Sequence, residues 1–172
     1  MRTAHQSVSL FALQIAVLHG ARVIVTSSSD EKLARVRAMG AWETVNYAPE
    51  KAWAKRVREL AGDGVDHVME VGGAGTLAES LKAVRPGGTI HLVGVLASGE
   101  APLSIVPIFM QQVRVQGVLV GHKESFEALN RALALHQVRP VVDRTFAFDE
   151  APAAFDHLAS GRHFGKVCVA IA

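Results

Sequence analysis

The chain has 172 residues, 49% of them hydrophobic, which allows one ordinary domain with a sizeable core and excludes two full catalytic domains. Eighteen Lys and Arg against sixteen Asp and Glu leave a formal net charge of +2, and no window concentrates basic residues, so we expect no nucleic-acid-binding surface. The single cysteine, Cys168, excludes a disulfide framework and a four-cysteine zinc site and favours a cytoplasmic location.

Helical patterns and short β-branched runs alternate along the chain, which indicates βαβ units around a parallel sheet. Pro102 and Pro107 interrupt the apolar segment 101–110, where we expect irregular or edge structure. In chain order, the predicted elements are a helix at 7–20, a strand at 22–27, a helix at 28–40, a strand at 44–47, a helix at 52–60, a strand at 65–71, a helix at 76–84, a turn at 85–88, strands at 88–93 and 113–120, a helix at 123–136, a strand at 141–148, a helix at 150–159 and a strand at 167–171.

The helix boundaries carry recognisable capping signals. The first helix is apolar nearly all round, so we expect it to be buried, and Gly20 follows it as a left-handed cap. Ser28 and Glu31 have the spacing of a capping box, and Gly40 closes the helix that they begin. The apolar run 8–18 is too short to span a membrane and lacks a cleavage site, so we expect neither an anchor nor a signal peptide.

Glycines stand at the ends of three predicted strands, within residues 71–73, 94–96 and 119–121. In a doubly wound α/β domain, ligands bind beyond the carboxyl ends of the strands, and glycine lets a ligand approach the backbone closely. Each glycine alone could equally well only make a turn, but three together favour a binding site.

A set of short motifs then points to a known family. In order, they are Gly20-Ala21-Arg22-Val23-Ile24-Val25-Thr26, Asp30-Glu31-Lys32-Leu33, Met39-Gly40-Ala41, Val45-Asn46-Tyr47, Gly64-Val65-Asp66 and Arg85-Pro86-Gly87-Gly88. Their order and spacing resemble the medium-chain dehydrogenase/reductase superfamily, which comprises the zinc-type alcohol dehydrogenases and quinone oxidoreductases. The resemblance runs from about Val8 to the C-terminus, through residues 161–166.

The resemblance implies the nucleotide-binding half of such an enzyme, without the N-terminal catalytic domain. The expected fold is a single Rossmann-like, doubly wound parallel α/β domain that lacks the usual first, central strand and the Gly-rich turn G-x-G-G-V. Val8 matches the closing valine of that turn, whereas Ala4, Gln6 and Ser7 occupy the glycine positions. Side chains there would fill the space of the pyrophosphate, so we expect cofactor binding to be weakened or lost.

The absent strand would leave a gap of two strand spacings, roughly 9 to 10 Å, in the middle of the sheet. We expect residues 2–5 to give at most a stub of that strand. The sheet would then either pair its second and fourth strands or take a strand from another chain.

The cofactor preference rests on the end of the second strand, where an NAD site places a carboxylate for the ribose 2′-hydroxyl. Here Ser27 and Ser28 offer hydroxyls instead, and Lys32 and Tyr47 resemble the 2′-phosphate contacts of NADPH-dependent quinone oxidoreductases, with Arg35 as a supporter. NADP(H) is therefore favoured over NAD(H). Two alternatives stay open: the serines could serve only as helix caps beside a solvated lysine, and Asp30 could still serve NAD(H).

The remaining site residues follow from the resemblance. Glu70 could touch a ribose hydroxyl, although a capped or solvated carboxylate is the simpler interpretation. The histidines are scattered singly, so no metal or zinc site is expected. We name no catalytic residue, because substrate polarisation and proton relay would come from the catalytic domain. The candidate cofactor-binding residues are Ser7, Val8, Ser27, Ser28, Lys32, Tyr47, Val71, Gly72, Gly73, Gly94, Val95, Leu96, Leu119, Gly165 and Lys166.

Two classes of function remain. The chain is either the NAD(P)(H)-binding half of an oxidoreductase that acts on a carbonyl, alcohol or quinone-like substrate, inactive alone, or a non-catalytic, degenerate dinucleotide-binding module that acts through association. The apolar residues at 8–18 and 103–110 exceed what one sheet face covers, so we expect a homodimer, with a separate catalytic-domain chain as another partner.

Overall fold

Helices and parallel strands alternate in the computed structural model, which describes residues 6–96 and 103–171. This confirms the predicted α/β class. The helices are α1 (Gln6–Leu18), α2 (Asp30–Ala38), α3 (Trp53–Ala61), α4 (Leu77–Ala83), α5 (Val106–Met110), α6 (Lys123–Leu135) and α7 (Ala151–Ala159), with a 3₁₀ turn at Phe148–Glu150.

The strands form three parallel groups. β1 pairs with β2, β4 lies between β3 and β5, and β6 pairs with β7. The strands are β1 (Ile24–Ser27), β2 (Glu43–Asn46), β3 (Val65–Glu70), β4 (Val84–Leu92), β5 (Arg114–Gly117), β6 (Val142–Phe146) and β7 (Lys166–Val169). Parallel pairs need crossover connections, and the helices between the strands supply them.

The sheet is interrupted between β1 and β3, the second and fourth strands of the expected order. Within residues 6–96 and 103–171 these two strands do not pair, so the first of the two alternatives for closing the gap is wrong. The second, a strand from another chain, stays a prediction. Helix α3 bridges the two groups instead, because Ala54 and Val57 pack in one cluster with Val45 on β2 and with Val65 on β3. The predicted stub at residues 2–5 lies outside the described residues.

Helix α1 joins the C-terminal part of the chain to the first strand pair. Leu10 and Leu13 pack with Leu33 and Val36 of α2 and with Phe164, which precedes β7. The predicted helix end is confirmed, since α1 stops at Leu18 and Gly20 has a φ of 76°. Burying Phe164 against α1 and α2 connects the last strands to the first strand pair.

Two predicted segments were wrong. Residues 106–110 form helix α5 rather than irregular structure, because Pro107 stands in the first helical turn, where its missing amide hydrogen is harmless. β4 begins at Val84 and continues through the predicted turn at 85–88, with a register shift where it faces β3. Gly88 makes this path possible, since a Cβ there would lie 2.6 Å from the Val84 side chain.

The capping box predicted at Ser28 is also wrong by one residue. Ser29 is the N-cap of α2, and its hydroxyl accepts a hydrogen bond of 3.3 Å from the Lys32 amide. Asp30 and Glu31 then lie in the first turn of α2, where their negative charges interact favourably with the positive end of the helix dipole.

The exposed apolar surface lies mainly outside α1. In that helix Leu18 is exposed, whereas Leu10 and Leu13 are buried, so the expected surface at 8–18 is largely covered. Residues 103–110 expose apolar side chains, as predicted: Phe109 is 79% exposed, and Ile105 and Met110 are exposed too.

Candidate functional site

The turns that follow β3 and β4 pack side by side at the carboxyl end of the sheet. Gly73 has a φ of 71°, and a Cβ on it would lie 2.8 Å from the Val95 Cα atom. A Cβ on Gly94 would lie 2.9 Å from the Val71 carbonyl oxygen, which also accepts a hydrogen bond of 3.3 Å from the Leu96 amide. Residues 71–73 and 94–96 are therefore brought together, and only glycine fits at both contacts.

Leu119 lies beside these turns but extends into solvent. The Val118 amide donates a hydrogen bond of 3.0 Å to the Leu92 carbonyl oxygen, which carries the end of β5 alongside β4. Leu119 is 91% exposed, and Val95 is exposed as well. The exposed side chains of Val95 and Leu119 thus make the surface apolar at the ends of β4 and β5.

Glu70, the last residue of β3, is a fully hydrogen-bonded carboxylate rather than a free one. Its oxygens accept hydrogen bonds from the Gly72 and Gly73 amides and from the hydroxyl groups of Thr76 and Ser80. The interpretation of Glu70 as a capped carboxylate is confirmed.

The first turn of α1 meets the loop before β7. The Ser7 hydroxyl donates a hydrogen bond of 3.4 Å to the Gly165 carbonyl oxygen. Gly165 has a φ of 104°, and a side chain there would collide with the Val141 carbonyl oxygen. Val8 follows in the same turn and is half-buried, whereas Lys166 is exposed, with its Nζ atom 6.0 Å from the Phe11 ring centroid.

Residues from β1, β2 and α2 form a second group. The Tyr47 amide donates a hydrogen bond of 3.0 Å to the Ser27 carbonyl oxygen, which aligns the ends of the two strands. Ser28 is exposed, while the Ser27 hydroxyl accepts a bond of 3.3 Å from the Ser29 amide. The Tyr47 hydroxyl is enclosed and has no hydrogen-bond partner among the described residues. An enclosed hydroxyl without a partner is costly, so a ligand that reached it would be favoured.

The nearest carboxylate to this group is already engaged. The Asn46 side-chain amide donates a hydrogen bond of 2.7 Å to Asp30, and the Asn46 oxygen accepts one of 2.9 Å from the Ala48 amide. Asn46 therefore holds the Asp30 carboxylate, the group that the sequence left open for a ribose hydroxyl.

Lys32 is held in place rather than freely solvated. Its ammonium group donates a hydrogen bond of 2.8 Å to the Gly161 carbonyl oxygen. Burial lowers the pKa of Lys32, and the charges of Asp143 and Glu31 act in the opposite direction. Because Gly161 contacts Lys32 and Gly165 contacts Ser7, the short loop 161–165 connects α2 with the first turn of α1.

Asp143 is the centre of a polar cluster that the sequence did not reveal. It accepts hydrogen bonds of 2.8 Å from His157 and 2.9 Å from the Phe164 amide. Burial opposes its ionisation, but these bonds and the charges of His157 and Arg35 lower its pKa. The Arg35 guanidinium lies 3.9 Å from the Phe164 ring centroid and 3.9 Å from Asp143. These two contacts compete with the predicted role of Arg35 as a supporter of the 2′-phosphate contacts.

The histidines of this region come closer than their spacing suggests. The rings of His157 and His163 are 6.3 Å apart, and the Nδ1 atom of His163 is enclosed without a partner in the described part of the chain. Within residues 6–96 and 103–171, however, no group of three or more His, Cys, Asp and Glu side chains could hold a metal ion.

Comparison with known proteins identifies the family of the chain. A family model described as zinc-binding dehydrogenase matches residues 7–134. The chain belongs to the zinc-binding dehydrogenase family. The resemblance inferred from the motifs is thereby confirmed, and the fold is that of the nucleotide-binding half of alcohol dehydrogenases.

Three relatives show how much of a zinc-binding dehydrogenase the chain covers. A zinc-type alcohol dehydrogenase-like protein of Schizosaccharomyces pombe is 38% identical over 95% of this chain and 49% of its own length. The crystal structure of an NAD-dependent alcohol dehydrogenase matches with 36% identity and a TM-score of 0.88, over 97% of this chain and 49% of that one. A mycobacterial protein solved with NADPH matches with 30% identity and a TM-score of 0.80, over 96% and 53%.

The chain spans about half the length of the curated relatives it matches. Of the two similar crystal structures, one is of an NAD-dependent enzyme and the other contains NADPH. No helix within residues 6–96 and 103–171 has the length and apolar character needed to cross a membrane.

Proposed function

We propose that this chain is the NADP(H)-binding half of an oxidoreductase of the alcohol dehydrogenase and quinone reductase type. The observation that carries the proposal is the end of β1, where serines stand in place of a carboxylate and the Tyr47 amide bonds to the Ser27 carbonyl oxygen. Lys32 follows in the first turn of α2. The Asp30 carboxylate accepts a hydrogen bond from the Asn46 side-chain amide. A cationic, hydroxyl-rich site of this kind suits a 2′-phosphate better than a ribose hydroxyl.

The bound cofactor supplies hydride chemistry, and the role of this chain is to place it. Residues 71–73, 94–96 and Leu119 would line its nicotinamide end, Ser7 and Val8 would lie at the pyrophosphate, and Gly165 and Lys166 would close over it. The Tyr47 hydroxyl has no partner among the described residues, and a ligand contact would satisfy it once the side chain moved to meet the ligand. We assign no catalytic residue, and carbonyl, alcohol and quinone-like substrates all remain compatible with hydride transfer.

The test is a calorimetric titration of the purified chain with NADPH and with NADH. We expect NADPH to bind about tenfold more tightly, because a hydrogen bond to a charged group contributes roughly 1.5 to 3 kcal/mol. Lys32→Ala and Tyr47→Phe should weaken NADPH binding and leave NADH binding unchanged. Lys51→Ala, which alters an exposed lysine outside the site, is the matched control.

Equal affinity for the two cofactors would contradict the NADP(H) preference. No binding of either cofactor at millimolar concentration would favour the second candidate, a non-catalytic module that acts through association. The exposed apolar residues of α5 support that second function, and they also support a homodimer in the first.

A further inference from the structure

We infer that Glu70 is a positioning residue that fixes both turns at the nicotinamide end of the site, an inference that rests on the proposed function. Glu70 would not touch the cofactor. It would act through the backbone of residues 72–73 and 94, in the turns that follow β3 and β4.

Glu70 is 3% exposed, and its carboxylate accepts four hydrogen bonds. Its Oε1 atom accepts hydrogen bonds of 2.7 Å from the Gly72 amide, 3.0 Å from the Gly73 amide and 2.5 Å from the Thr76 hydroxyl, while Oε2 accepts one from the Ser80 hydroxyl. A buried charge is tolerated only when such bonds replace its water. The carboxylate therefore fixes the glycine turn relative to the start of α4.

The backbone of Glu70 holds the neighbouring turn. Its carbonyl oxygen accepts hydrogen bonds of 2.8 Å from the Val93 amide and 3.3 Å from the Gly94 amide. The two turns also touch directly, since a Cβ on Gly73 would lie 2.8 Å from the Val95 Cα atom. A shift of the glycine turn would thus displace Val95 as well.

The other end of the site does not depend on Glu70. Ser27, Lys32 and Tyr47 belong to the β1–β2 pair and α2, which share no strand pairing with the β3–β4–β5 group in the described part of the chain. Loosening the turns should therefore weaken contacts to the nicotinamide portion and spare those to the adenosine portion. A loss of overall stability would instead affect both portions alike.

The experiment compares NADPH with 2′,5′-ADP, which carries only the adenosine portion, as ligands of the full chain. Glu70→Gln keeps the shape of the side chain but replaces the carboxylate that accepts four hydrogen bonds with a neutral amide. We expect the Kd of NADPH to rise roughly tenfold and the Kd of 2′,5′-ADP to stay unchanged.

Glu79→Gln is the matched control. Glu79 lies in the first turn of α4, where its carboxylate accepts hydrogen bonds from the Ala54 amide and from Lys82, on the side of α4 that faces α3. This variant should leave both dissociation constants unchanged. If Glu70→Gln fails to fold, Thr76→Val removes one donor to the same carboxylate and should raise the Kd of NADPH alone by a smaller factor.

Equal weakening of both ligands, or no weakening of either, would overturn the positioning role of Glu70. Failure of the unaltered chain to bind NADPH and 2′,5′-ADP would contradict the proposed function itself, and the inference with it.

Discussion

His163 shows what burial does to a single residue in this fold. It is 1% exposed and close to Lys32, Asp143 and His157. Burial lowers its pKa, the charge of Lys32 acts in the same direction, and Asp143 opposes them. The folded chain therefore favours the neutral imidazole, which costs stability once the unfolded chain can be protonated.

We expect the free energy of unfolding to fall as the pH drops below about 6.5, the ordinary histidine pKa of the unfolded chain. There the unfolded state binds a proton that the folded state resists, whereas above that pH both states are neutral. One such group contributes at most about 1.4 kcal/mol per pH unit. Urea unfolding of the unaltered chain and of His163→Phe between pH 7.5 and about 5 should show a shallower decline in the variant.

Some slope should persist in the variant, because burial also lowers the pKa of His91. Parallel curves for the two proteins would show that His163 does not resist protonation in the folded chain.

Most element types and their order could be predicted from the sequence. Helix α1 and its end at Gly20 followed from an apolar run and a glycine that needs a positive φ. Helix α5 did not, because Pro107 was interpreted as a helix breaker although a first turn accepts it. The N-cap of α2 was misplaced because Ser28 and Ser29 have the same chemistry, and only the backbone path decides between them.

Helix α5 also carries the prediction for association. Val106, Phe109 and Met110 are exposed on a helix of five residues, and an apolar surface of this kind is typical of protein interfaces. We expect the chain to be a dimer by light scattering at tens of micromolar, with a second copy covering α5.

Phe109→Glu should convert the dimer to a monomer while leaving the far-ultraviolet circular dichroism spectrum unchanged, because Phe109 is exposed in its own chain. Phe155→Glu, at a 70% exposed phenylalanine on α7, is the control and should leave the mass unchanged. A monomeric mass for the unaltered chain would contradict the predicted interface.

At the scale of the whole molecule, the sequence predicted glycine turns after consecutive strands but not how the parts of the fold connect. The turns at 71–73 and 94–96 follow from glycines placed after consecutive strands, a local signal. The hydrogen bond between Lys32 and Gly161 joins residues 129 positions apart, and no local sequence pattern predicts it. Helix α3 likewise bridges the interrupted sheet through contacts that depend on tertiary packing.

The central claim is that these strand ends form one dinucleotide site. The most direct measurement is a two-dimensional ¹H–¹⁵N spectrum of the labelled chain with and without saturating NADPH. We predict that amide shifts change at Ser27, Lys32 and Tyr47 and in residues 71–73 and 94–96, and stay constant in α6. Unchanged shifts at these strand ends, or changes confined to another part of the surface, would contradict the account.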